Sequence, residues 1–323
     1  MEALLEPYRI AIDEAVAALR QRESGLGEVA FEYVVAGGKR LRPTITLLTC
    51  EALAGTYKKA LPIALVYEFA HTASLTQDDI IDNSPTRHNR PGAHTKHGVK
   101  TAILISDMLI FEIFDKLGES GELLTKEQVT SLIRYVATAA KKTAEGEFLE
   151  MELSKETDLT VKDYIRLAGL KTGALFAAAA SSGGVVAGAK PRVVTELYEF
   201  GTNFGIAFQT VDDILDFTGS SKTMGKPRLK DLQNNPTNIV IVHALSQADG
   251  PTKNRIRSMM LRSAQGFVDV VELLALLDDL GSVEFASKLA EKHAIIARSK
   301  LRLLPDNAPK QTLKALTRWL EAP

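Results

Sequence analysis

The sequence predicts an all-α fold. Apolar residues recur at helical spacing nearly throughout, alternating strand patterns are almost absent, and no Pro/Ser-rich linker or fixed-period repeat divides the chain. With 323 residues, 45% hydrophobic and 24% charged, the composition is that of a globular protein with a sizeable core. Residues 1–323 are expected to form one domain.

The first helix is LLEPYRIAIDEAVAALRQR, amphipathic and stopped before Gly25. Further breaks fall near 54–59, 83–92, 118–125, 154–160, 188–191, 218–237, 249–251 and 303–310. Thr125 with Gln128, and Thr160 with Asp163, have capping-box spacing and mark two helix starts. ALFAAAASSGGVVAGA (174–189) is shorter than the ~20 residues that span a bilayer. Its small residues suit close approach of two soluble helices. NIVIV (238–242) is β-branched enough for a strand, but it runs into HALSQA without a turn signal and reads as helix.

A net charge of −1 gives no global basic field, so nucleic acid is not an expected partner. Cys50 stands alone, which excludes an intramolecular disulfide and fits a reducing, cytoplasmic setting. The start, MEALLEPYRIAIDEA, lacks the basic and apolar regions of a signal peptide, and no integral membrane span is expected.

DDIID at 78–82 recurs as DDILD at 212–216, 134 residues later. In each, i and i+4 share a helix face and i+1 flanks them. Three carboxylates within one turn repel one another, and burying them unpaired is costly. Clustered hard oxygens favour Mg²⁺, which keeps waters and bridges carboxylates to phosphates. A lone DDxxD is equally a solvated face. Two copies, each among apolar residues, point to helices lining one acidic cavity.

Cations accompany them. GGKRLRP (37–43) places Lys39 and Arg42 at i and i+3. It is not a P-loop, because Tyr33 and Arg40 occupy the places of the required Gly and Ser/Thr. Read alone, it is also consistent with surface charges at a helix start. Arg87, His88 and Arg90 follow the first aspartates, Lys171-Thr172 precedes the small-residue helix, and Lys226 lies in a Gly-Lys-Pro turn. His71, two turns before Asp78, shares its helix face.

GGKRLRP, HTASLTQDDIID with Arg87 and RPGAH, KTGALF, GIAFQTVDDILD and GKP together resemble the trans-isoprenyl diphosphate synthases, the polyprenyl synthetases, over nearly the whole chain. The resemblance implies antiparallel helices around a central cavity, a homodimer, and condensation of an allylic diphosphate with isopentenyl diphosphate. It implies a cluster of three Mg²⁺ ions held by Asp78, Asp82 and Asp212, with Asp79, Asp213 and Asp216 as further ligands or supports. Arg87, Lys171 and Lys226 would grip the allylic diphosphate, and Lys39, Arg42 and His71 the isopentenyl diphosphate. Thr172 and Gln209 would aim oxygens at the allylic cation.

Two places depart from the family. Its usual Arg-Arg-Gly is here Arg87-His88-Asn89, so His88 stands where a second arginine helps to bind isopentenyl diphosphate. An imidazole of pKa ~6.5 does this only when protonated, which predicts a pH-sensitive substitute. The loop RLKDLQNNPTN (228–238) carries Leu229, Asn235, Pro236 and Asn238 at positions where the family differs.

In such enzymes, bulky residues just before the first aspartate stop elongation early. Ala73 and Ser74 are small, so the product is expected at C20 or longer, within about C20–C30, with Phe69, Phe111 and Phe114 as a deeper floor. A non-catalytic partner subunit of a heteromeric synthase and a class I terpene cyclase or coupling enzyme remain as alternatives. The first is disfavoured by two intact aspartate motifs, the second by a retained GGKRLRP.

Overall fold

The computed structural model describes residues 1–87, 90–156, 158–218, 237–263 and 270–321. The chain is helical: α1 (Glu2–Arg20), α2 (Leu26–Ala36), α3 (Leu41–Ala54), α4 (Leu61–Ile81), α5 (Ala93–His97), α6 (Val99–Glu119), α7 (Lys126–Leu153), α8 (Val161–Ala168), α9 (Ala174–Val186) and α10 (Pro191–Thr218). There follow α11 (Ile239–Gln247), α12 (Gly250–Ser263), α13 (Val270–Asp279), α14 (Ser282–Lys300) and α15 (Ala308–Trp319). Among the described residues the only extended backbone pairing is two residues long, β1 (Thr86–Arg87) against β2 (Arg90–Pro91), antiparallel with Arg87 opposite Arg90.

Local chemistry sets the boundaries. The Thr125 amide donates to Gln128 Oε1 (2.9 Å) and the Gln128 amide to Thr125 Oγ1 (3.3 Å), opening α7 as its capping box predicts. Thr160 and Asp163 do the same for α8. NIVIV is helical, with Asn238 Oδ1 accepting the Val240 amide at the start of α11. Among the described residues three breaks fall outside the positions expected from the sequence: Gly98, with φ 81°, separates α5 from α6, and two more follow. Arg40, in a left-handed conformation, separates α2 from α3, and Gly281, also left-handed, separates α13 from α14. Lys39 therefore lies in a turn before α3, which carries Arg42, so the two do not share a helix face.

Helical contacts divide the chain into two units. The first comprises Met1–Ala140, Leu175–Gly201 and Arg298–Leu316. Its core is built on Ile12, Phe31, Ile63, Tyr67, Phe69, Ile105 and Leu109. In it the small-residue helix α9 does what its composition suggests. A β-carbon on Gly183 would collide with Thr46 and Thr49 of α3, and Thr46 Oγ1 donates to the Ala179 carbonyl at 3.1 Å. Among the described residues no helix is long and apolar enough to cross a membrane.

The second unit comprises Lys141–Ala174, Thr202–Ala297 and Thr317–Pro323. Tyr164, Ile206, Ile214, Phe217, Ile239, Ile241, Leu273 and Leu277 form its core.

Candidate functional site

In the first unit α4 carries His71, Ala73, Ser74 and the first aspartates. Asp78 is half-buried, Asp79 is 3% exposed, and Asp82 is exposed at the helix end. The helix stops there because Asn83 turns left-handed, a conformation asparagine tolerates, and the Ser84 amide folds back to the Asp79 carbonyl at 3.0 Å. Arg87, in β1, reaches back to α4. Arg87 Nε and Nη2 both donate to Asp79 Oδ1, at 2.9 and 2.6 Å. Burial disfavours the charged guanidinium, but Asp79, with Asp78 and Asp82 behind it, outweighs this and holds the Arg87 pKa above its ordinary value.

The GGKRLRP turn lies in the same unit. Lys39 is exposed. Arg42 is half-buried, with its guanidinium carbon 4.4 Å from the centroid of the Phe176 ring and a buried Nε that makes no hydrogen bond. Burial pushes its pKa down to about 10, against the attraction of Glu68 and Asp78, so it stays charged near neutral pH. Ala73 is buried, and its carbonyl accepts from Ser106 Oγ on α6 (3.3 Å). Phe111 and Phe114 contradict the expectation of an inner floor. They are 65% and 60% exposed on α6, because the face opposite Ile105, Leu109 and Ile113 turns them away from the core.

In the second unit α10 ends in the second aspartates. Asp212 is exposed, Asp213 is 7% exposed and Asp216 2%. Asp213 is fully engaged by protein donors. Gln209 Nε2 reaches Oδ1 at 3.0 Å, the Ile239 amide reaches Oδ2 at 3.1 Å, and Asn238 Nδ2 donates to the Asp213 carbonyl at 3.2 Å. Burial raises the Asp213 pKa to about 8 against the help of Gln209 and the Ile239 amide. The two motifs thus share a pattern. Their middle aspartates, Asp79 and Asp213, are buried and held by the protein, and their leading aspartates, Asp78 and Asp212, are more open.

Lys171 and Thr172 sit in a π-helical turn, Gly169–Gly173, between α8 and α9. Lys171 Nζ pairs with Glu147 at 2.7 Å and with Glu150 of α7. Thr237 Oγ1 donates to the other Glu150 oxygen at 3.1 Å. Thr172 Oγ1 donates to Gln209 Oε1 at 2.8 Å, which fixes the Gln209 amide with its NH₂ toward Asp213. Glu150, Tyr164, Lys171, Thr172, Gln209, Asp213 and Thr237 line one polar pocket.

The sequence pattern did not single out Glu147, Glu150, Tyr164 and Thr237. Glu147 and Glu150 stand i, i+3 on a charged helix, and nothing local links them to a lysine more than twenty residues on. His88 and Lys226, with positions 228–236 of the altered loop, lie outside the described residues.

A polyprenyl synthetase family model matches residues 25–277. This chain belongs to that family. It is 34% identical over 300 residues to the geranylfarnesyl diphosphate synthase of Aeropyrum pernix, covering 91% of this chain and 93% of that protein. It is 31% identical over 296 residues to the geranylgeranyl diphosphate synthase of Saccharolobus solfataricus, covering 91% and 89%. Among solved structures, geranylgeranyl pyrophosphate synthetase from Pyrococcus horikoshii superposes with a TM-score of 0.91 at 30% identity, over 99% of this chain and 97% of that one.

The aspartates of this polyprenyl synthetase suit Mg²⁺ in their chemistry, being hard carboxylate oxygens in two groups. Among the described residues, no three carboxylate, imidazole or thiol side chains converge closely enough to hold a metal ion by themselves.

Proposed function

We propose that the chain is a trans-prenyltransferase. It joins an allylic diphosphate to isopentenyl diphosphate, 1'-4 and head to tail, to give an all-trans product of C20 or longer. The observation that carries this reading is the repeated aspartate pattern: in both motifs the middle residue is buried and hydrogen-bonded within the protein, while the leading carboxylate is more exposed.

Asp78, Asp82 and Asp212 are assigned as Mg²⁺ ligands, three ions to a site, with Asp216 beside them. Asp79 and Asp213 support the ligands by fixing Arg87 and Gln209. Bound Mg²⁺ would neutralise charge on the departing diphosphate. Arg87 and Lys171, with Lys226, hold the allylic diphosphate and stabilise charge as the C–O bond ionises. The Thr172 hydroxyl proton is committed to Gln209, so the Thr172 oxygen presents lone pairs. That oxygen and the Gln209 carbonyl stabilise the allylic cation. Lys39, Arg42 and His71, with His88, hold isopentenyl diphosphate so that its double bond attacks C1 of the cation. The proton then lost from the new chain passes to a pyrophosphate oxygen, and no protein base is needed.

Small Ala73 and Ser74 leave the tunnel open beyond C15. Relatives named as geranylgeranyl and geranylfarnesyl diphosphate synthases support a product of C20 or longer. We assign the whole chain to one polyprenyl synthetase domain, acting in the cytoplasm as a homodimer. Val99, Ile103, Leu104, Phe111 and Phe114 form an exposed apolar face on α6 that favours pairing.

Product analysis tests this directly. Purified protein is incubated with Mg²⁺, isopentenyl diphosphate and C5, C10, C15 or C20 primers. Expected are products of C20 or longer. No elongation by the protein alone would overturn the reading in favour of a partner subunit.

A further inference from the structure

We infer that Arg40 is a positioning residue: it sets the direction of Lys39 and Arg42 by tying their turn to α4. This rests on the assignment of Lys39, Arg42 and His71 to isopentenyl diphosphate.

Arg40 has φ 51° and ψ 30°, a left-handed backbone that a side chain with a β-carbon rarely adopts. Such a residue persists where its surroundings determine it. Here the side chain supplies the constraint. It is 5% exposed and reaches three helices. Nε donates to Asp13 Oδ1 on α1 (3.0 Å), Nη2 to the Val34 carbonyl on α2 (2.7 Å), and Nη1 to Glu68 on α4. Gly37 makes room for it, since a β-carbon there would lie 2.5 Å from Arg40 Nη2. The glycine and the second cation of GGKR are therefore one device.

Lys39 immediately precedes this residue and Arg42 lies in the first turn of the helix that follows it. Rotation at Arg40 decides where both point. The far end of the tether, Glu68, is 3% exposed and lies one turn before His71 on α4. It also faces Arg42 electrostatically. Arg40–Glu68 thus refers the turn to the helix that carries His71 and Asp78. Buried ion pairs contribute little net stability against apolar replacements, so specifying a conformation is the better account of this one.

Arg40→Gly is the sharpest test, because glycine keeps the left-handed backbone without strain while removing the tether; it also leaves Glu68 buried without this cation, which is why the unfolding midpoint is read alongside. KM is measured separately for isopentenyl diphosphate and for the allylic diphosphate, together with the unfolding midpoint. The expected result is an isopentenyl diphosphate KM raised about tenfold or more, with the allylic KM within about twofold. Asp13→Asn, at a half-exposed partner, should raise the same KM about threefold and leave the midpoint unchanged. It decides the matter if Arg40→Gly does not fold. Arg42→Ala serves as control: if it leaves the isopentenyl diphosphate KM unaltered, the site assignment itself fails. If Arg42→Ala raises that KM while Arg40→Gly and Asp13→Asn do not, the positioning role is overturned. It is equally overturned if both KM values rise together by a similar factor.

Discussion

The α-carbon of Gly146 packs against the backbone of Lys171: a β-carbon at Gly146 would lie 2.6 Å from the Lys171 amide nitrogen. This contact lets the π-helical turn approach α7 and brings Lys171 to Glu147 and Glu150. Gly146→Ala must push that turn away. We expect a stability loss of about 1–3 kcal/mol from overpacking. The displaced lysine should lower kcat/KM for the allylic diphosphate about tenfold or more. Thermal unfolding and steady-state kinetics check the two effects separately, and unchanged kinetics in a folded variant would contradict the role given to the turn.

Helices, caps and both aspartate groups were readable from the sequence because each rests on local spacing: i, i+3 for the Thr125 and Thr160 caps, i, i+4 for the acidic faces. What spacing does not carry is a contact between distant segments. Glu150 meets Lys171 only because a glycine on α7 and a π-helical turn happen to face each other. The left-handed conformation of Arg40 is not legible for the same reason, since it is held by Asp13 and Glu68. Phe111 and Phe114 were misplaced because bulk alone does not tell which side of an amphipathic helix faces the core.

Ala73→Phe should shorten the product by one or more C5 units. Ala73 is 3% exposed on α4, one turn before the aspartates, with Ser106 of α6 bonded to its carbonyl. On the proposed assignment of Ala73 to the product tunnel, a phenyl ring there would stand in the path of a growing chain. Chromatography of the products reads the outcome, and an unaltered length distribution would remove Ala73 from the tunnel.

Acid should destabilise the protein through two histidines. Burial lowers the pKa of His243 and of His293, which bond through Nδ1 to Ser282 Oγ (3.0 Å) and Asn203 Oδ1 (2.9 Å). A depressed folded pKa means that the unfolded chain binds protons more tightly. Their contribution to stability is therefore complete above the unfolded value of ~6.5 and is lost as pH falls toward the lowered folded values. The unfolding midpoint should drop between pH 7.5 and pH 5.5, and less steeply in a His243→Gln, His293→Gln double variant. Equal slopes in the two proteins would assign the acid sensitivity elsewhere.

Glu150→Gln should tighten allylic diphosphate binding. Among the described residues Lys171 pairs with both Glu147 and Glu150, so a diphosphate that takes Lys171 competes with these carboxylates. Glutamine keeps an oxygen for the Thr237 hydroxyl, which now donates to Glu150 Oε1, and removes one negative charge from beside the phosphate. With Lys171 only about a quarter exposed, that charge is weakly screened. We expect the allylic KM to fall about three- to tenfold, with the isopentenyl diphosphate KM unchanged. The opposite variant, Lys171→Gln, should raise the allylic KM. A Glu150→Gln enzyme with a raised allylic KM would show that Glu150 holds Lys171 in its working position rather than competing for it.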